Sequence, residues 1–196
     1  MSREKSDPFI SEWMSFSKNP NYNLIEKCLK LAQILEYPEL NISKYIEKIN
    51  EMGNSMRLKI GEVKNPTYLI SVLNEYLFDE LGFHGSEEPE YYYDPANSFL
   101  NVVLDKKIGI PITLSILYSE VAKHIGLNLR IVGFPGHVIV KYKKDMILDP
   151  FYRGRLLTIE DLEKILNRNF GEDVEFVPEY LNEATTEQLL TRLLKN

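Results

Sequence analysis

The chain has 196 residues, 44% apolar and 27% charged, the balance of an ordinary globular protein with enough material for one large domain or two small ones. Acidic residues outnumber basic ones by 29 to 23, and the net charge of −6 argues against nucleic acid and anionic membrane as partners. The single cysteine, Cys28, excludes an internal disulfide and a thiol-rich metal site, so no metal or cofactor is expected.

The first residues hold no apolar stretch of signal-peptide type, and no window is long and apolar enough to span a bilayer. The expected compartment is the cytoplasm. Ser6-Asp7-Pro8 reads as a helix start, followed by a stripe of Phe9, Ile10, Trp13 and Phe16. Leu24, Ile25, Cys28, Leu31, Ala32 and Leu35 share one face of a second helix, which Tyr37-Pro38 ends. Ile42, Tyr45, Ile46, Ile49 and Met52 mark a third, with Gly53 as its expected C-terminal cap. Asn65-Pro66 opens a fourth that carries Leu69, Ile70, Leu73, Tyr76 and Leu77.

Residues 82–97 read as a structured loop, in which Tyr91-Tyr92-Tyr93 is either a recognition patch or an anchor onto the core. A short helix over 98–104 and a longer one over 111–125, closed by Gly126, come next. The period then changes to that of strands at 129–134, 138–142 and 146–148, separated by Pro135-Gly136 and Lys143-Lys144-Asp145. Thr158-Ile159-Glu160-Asp161 starts another helix, 174–177 reads as a strand and 185–194 as a last helix. The fold class is α+β, with helices first and a small antiparallel sheet after them.

Few ionisable residues offer chemistry. His124, near a helix end, is expected to face solvent or the helix dipole, and His84 to hold a turn. His137 follows Phe134-Pro135-Gly136 at the start of an expected strand, and Asp149 closes the next apolar run. A hairpin through Lys143-Lys144-Asp145 brings the two together at one end of the sheet, where the carboxylate fixes the imidazole tautomer. The start of the long helix is a natural place for a nucleophilic thiol, and there the chain carries Pro111, with Thr113 and Ser115 the nearest hydroxyls. Cys28, far upstream on an apolar face, reads as a core residue.

Taken in order, Tyr93-Asp94-Pro95-Ala96-Asn97-Ser98-Phe99-Leu100-Asn101, Gly109-Ile110-Pro111-Ile112-Thr113-Leu114-Ser115, Gly133-Phe134-Pro135-Gly136-His137 and Leu148-Asp149-Pro150-Phe151 closely resemble the bacterial Sir-B branch of the transglutaminase-like superfamily. The segments Leu73-Asn74-Glu75-Tyr76-Leu77-Phe78 and Leu189-Leu190-Thr191-Arg192-Leu193-Leu194-Lys195-Asn196 look similar too, so the resemblance spans roughly 66–196 and leaves 1–65 as a preceding helical region. It implies a papain-like, transglutaminase-like core, a central helix against an antiparallel sheet. It also implies that His137 and Asp149 are a remnant dyad and that Pro111 holds the position of the nucleophilic cysteine, a loss common in that branch. Branch members usually continue into tetratricopeptide-like repeats, and Asn196 stands about where those would start.

Tyr93 and Asn97 in the first motif, and Arg153 and Arg155 after Asp149, are candidate ligand contacts; the two arginines read equally as surface residues of a loop. Three functions fit these residues. One is a non-catalytic module binding a protein or peptide partner. Another is a hydrolase or acyltransferase using the dyad with Ser115, Thr113 or water. The third is a purely structural domain.

Overall fold

In the computed structural model, residues 8–86, 88, 94–143, 146–171 and 174–196 are described, the side chains of Pro8 and Phe9 excepted. Helices α1 (Pro8–Ser17), α2 (Leu24–Leu35), α3 (Ile42–Ile60) and α4 (Pro66–Asn74) come first. Asparagines start three of them: Asn23, Asn41 and Asn65 accept from the amides of Glu26, Lys44 and Tyr68. The α4 segment runs on into a π-helical stretch over Glu75–Glu80. Strand β1 (His84–Gly85) pairs in parallel with β2 (Ile108–Gly109) across a 3-10 turn (Pro95–Ser98) and helix α5 (Leu100–Lys106).

Helix α6 (Pro111–Lys123) is the centre of the molecule. Residues from 111 to 119, with Val121 and Ala122, are buried, the pattern of a helix enclosed on all sides. Strands β3 (Arg130–Val132), β4 (Ile139–Tyr142), β5 (Met146–Asp149) and β6 (Arg155–Leu157) form an antiparallel sheet in that order, and β3 and β4 pack on α6. Val140 faces Leu148, and Asp149 faces Arg155. Helix α7 (Ile159–Phe170) and helix α8 (Thr186–Lys195) complete the chain, each opened by a reciprocal capping box, Thr158 with Asp161 and Thr185 with Gln188. No helix among the described residues is long and apolar enough to cross a membrane.

The sequence reading needs five corrections. Helix α3 does not end at Gly53 but continues to Ile60 and is capped by Gly61; Gly53 keeps no left-handed φ and instead makes room for a neighbouring ring. That ring is His124, which packs on Gly53 instead of standing free in solvent. Residues 174–177 form no strand, since no neighbouring edge pairs with them. His137 lies in the turn before β4 and not on it. The sheet also has a fourth strand, β6, too short for alternation to reveal. The Tyr91-Tyr92-Tyr93 run, Tyr93 included, lies outside the described residues.

Candidate functional site

The turn Phe134-Pro135-Gly136-His137 sets the position of the imidazole. His137 N donates to Phe134 O at 3.0 Å, with proline at the second corner and Gly136 at φ +73 at the third, the arrangement of a type II turn. Asn169 of α7 leaves no room for a side chain on Gly136, so both the dihedral and the space demand glycine.

The dyad that the hairpin predicts is present. His137 Nε2 donates to Asp149 Oδ2 at 2.8 Å, and Asp149 is fully buried. The other carboxylate oxygen, Oδ1, accepts from Phe151 N at 3.0 Å and Tyr152 N at 3.4 Å, capping the 3-10 turn Pro150–Tyr152. Phe151 stands edge-on to the imidazole, with ring centroids 6.0 Å apart. A carboxylate bound this way holds the proton of the neutral ring on Nε2 and leaves Nδ1 as an acceptor. His137 is 9% exposed, and Nδ1 has no hydrogen-bond partner among the described residues.

His137 lines an open cleft of about 270 Å³ together with Pro111 and Ile112 from the start of α6. Pro111 therefore occupies the first turn of the helix on the imidazole's side, with neither a nucleophilic side chain nor an N–H. Ile112 carries one of the amide donors that every helix start leaves without an intrahelical partner.

The nearby hydroxyls are directed elsewhere. Thr113 Oγ1 accepts from Ile110 N at 3.1 Å and lies 3.1 Å from Asn97 O, to which it donates. Ser115 Oγ donates to Val138 O at 3.3 Å. Both residues are buried, and neither lines the cleft. Asn97 is buried too, and its carbonyl accepts from Thr113 Oγ1. Arg153 pairs with Asp79 and Arg155 with Asp161, and neither guanidinium lines the cleft.

Cations of another element stand there instead. Arg192 and Lys195 of α8 line the cleft, and Arg192 Nη1 donates to Phe134 O at 3.1 Å, which ties the helix to the His137 turn. Asp94 and Ser98 line the cleft as well. Sequence reasoning passed over these four, although they fall inside the motif segments around 93–101 and 189–196. A basic residue near the end of an amphipathic helix looks the same in sequence whether it meets solvent or a cleft.

Cys28 is buried on α2, and burial pushes its thiol up to about 12, the behaviour of an inert core cysteine. Among the described residues no cluster of three or more histidine, cysteine or carboxylate side chains is arranged to hold a metal ion.

Known proteins similar to this chain point to one family. Residues 43–195 match the model of the transglutaminase-like superfamily. A UPF0162 protein of Xylella fastidiosa (strain 9a5c) is 34% identical over 167 residues, 82% of this chain and 59% of that protein. The UPF0162 protein of Vibrio cholerae is 26% identical over 175 residues, covering 87% of this chain and 63% of its own length. Human F-box only protein 21 is 28% identical over 155 residues, 70% of this chain and 24% of that protein. No solved structure matches.

Proposed function

The chain belongs to the transglutaminase-like superfamily, and from that premise we propose that it is a non-catalytic member whose cleft binds a protein or peptide segment. The observation that carries this reading is Pro111 beside an intact His137–Asp149 dyad. The base is oriented and lines an open cleft, and the helix start that lines the cleft with it has no group able to attack an acyl carbon. Ser115 and Thr113, the nearest hydroxyls in sequence, are spent on backbone carbonyls. What the cleft retains suits an amide. His137 Nδ1 accepts from a peptide N–H, and the amide of Ile112 faces a peptide carbonyl.

We assign the chain to the Sir-B branch within that superfamily, because its motifs recur in the same order and because bacterial UPF0162 proteins are among its relatives. It covers 59% of the Xylella relative, so the partner recognised by the whole protein is part of the proposal. A cytoplasmic setting suits a chain whose single thiol is buried.

The test joins a broad amidase and glutamine-transfer assay to selection of binding peptides from a random library. We expect no turnover above the buffer rate, and selected peptides that bind the His137→Ala variant about tenfold or more weakly. Turnover that disappears in His137→Ala overturns the reading in favour of hydrolysis.

A further inference from the structure

Asn74, the last residue of α4, stands against the turn that carries the carboxylate of the dyad. Tyr118 Oη of α6 donates to its Oδ1 at 2.7 Å, and its Nδ2 donates to Gly154 O at 3.2 Å. Both ends of the carboxamide are used, and since Gly154 O only accepts, the amide has one orientation. Gly154 N donates in turn to Asp149 O at 2.8 Å, which ties the far end of the turn to the residue that orients His137. Gly154 is buried at φ +71, and a Cβ there would overlap Asn74 Oδ1, so this close approach requires glycine.

The same helical segment makes a second contact with the turn. Asp79, in the π-helical stretch, pairs with Arg153, the left-handed residue next to Gly154. On an α-helix, residues five apart point about 140° away from each other. The π geometry, in which Leu81 N donates to Tyr76 O at 2.9 Å, brings Asn74 and Asp79 closer to one side. The widened helix thus holds the turn at Arg153 and at Gly154. Asn74 is the stronger of the two contacts, because Asp79 and Arg153 are both more than half exposed and water screens such a pair.

We propose that Asn74 is a positioning residue of the dyad, fixing the return of the turn after Asp149 so that the carboxylate stays aimed at His137. Phe151 N and Tyr152 N hold the other carboxylate oxygen, so a swing of this turn rotates Asp149 away from the imidazole. The strand that follows, β6, has three residues and lies at the edge of the sheet, so strand pairing alone anchors the turn weakly. An oriented side chain needs a second layer of contacts behind it, and here α4 and α6 supply one through Asn74. Its value to a ligand rests on His137 being the oriented acceptor that the peptide-binding reading requires.

The test follows the His137 imidazole of the whole chain by long-range proton–nitrogen NMR at about pH 8, where a free imidazole is neutral. In the wild type we expect an Nε2–H proton that Asp149 protects from exchange with water. Asn74→Ala should speed that exchange by about fivefold or more. Asn74→Asp, which keeps the acceptor for Tyr118 but sets a carboxylate against Gly154 O, should act in the same direction. Tyr118→Phe removes one hydroxyl from the chain of contacts, should also speed the exchange, and does not depend on a variant at Asn74 folding. Asn65→Ala removes the cap at the other end of α4 and should lower the melting temperature while leaving the exchange unchanged. Unchanged exchange in the Asn74 and Tyr118 variants overturns the proposal. An equal acceleration in Asn65→Ala overturns it too, reducing Asn74 to a general stabiliser of the fold. These rates are read without any ligand, so a peptide selection that fails sinks the binding reading alone.

Discussion

Asp149 holds three donors at once, from the His137 ring and from two backbone amides, and it does so without any exposure to water. Asp149→Ala leaves all of them unpaired, and we expect it to lower the unfolding free energy by about 3 kcal/mol in a urea titration. Asp149→Asn keeps the acceptor for Phe151 and Tyr152 and should cost clearly less. The position of Pro111 permits a sharper test. A cysteine introduced there stands at a helix start with His137 across the cleft, two influences that each lower a thiol pKa. We expect Pro111→Cys to react with iodoacetamide at pH 6 about tenfold or more faster than free cysteine, and His137→Ala to abolish the gain. Cys28 supplies the baseline, since burial raises its thiol to about 12 and should leave the native wild type silent. The dyad was legible because two side chains flanking a short hairpin must meet whatever the rest of the chain does. The outward course of Arg153 and Arg155 was not, because the acidic partners that capture them, Asp79 and Asp161, come from two other elements.

Helix boundaries were legible where a side chain defines them and obscure where packing does. Thr158 and Asp161 announce α7 in four residues. The hydrogen bonds from Thr158, led by its backbone amide, hold the Asp161 carboxyl below the ordinary carboxylate range. A carboxyl depressed by folding adds stability that is present above its unfolded value and is lost as pH falls through the folded one. Asp161→Asn should therefore lower the melting temperature at pH 7, and the difference from wild type should close in strong acid. Gly53 is the opposite case. In sequence it resembles a terminator, yet α3 passes through it, and the position holds glycine because a Cβ there would overlap the ring of His124. Gly→Ala inside a helix ordinarily stabilises by about 1 kcal/mol. Here we expect Gly53→Ala to destabilise by about 1–3 kcal/mol, the cost of overpacking, and His124→Ala to restore the loss in the double variant. The fourth strand and the absence of one at 174–177 were illegible for one reason: a three-residue edge is fixed by its partner, and the sequence does not show whether a partner is there.

At the scale of the whole molecule, the superfamily match begins at residue 43 and so takes in α3, and α2 ahead of it shares the same interior. Ile25, Cys28 and Leu29 of α2 and Ile49, Met52 and Met56 of α3 are buried in the same cluster as Leu114, Leu117 and Val121 of α6. Helix α6 is apolar nearly all round, and a helix of that kind is stable only when every side of it is covered. Strands β3 and β4 cover one side, and α2 and α3 cover another. Each of these buried side chains contributes about 1.5–3 kcal/mol, so losing even a few rivals the whole stability of a domain, about 5–15 kcal/mol. The fragment 66–196 lacks α2 and also α3, which the superfamily match from residue 43 includes, and should therefore fail to fold alone. We expect it to lack a cooperative thermal transition by circular dichroism and to give a collapsed amide NMR spectrum. The consequence reaches the cleft. Helix α2 also packs on α8, which brings Arg192 and Lys195 to the cleft beside His137, so the N-terminal helices support the cation wall as well as the core. A fragment that melts cooperatively near the temperature of the full chain would show that the sheet and α8 suffice to enclose α6, and would move the source of the cleft's rigidity to the Phe134–Arg192 tie alone.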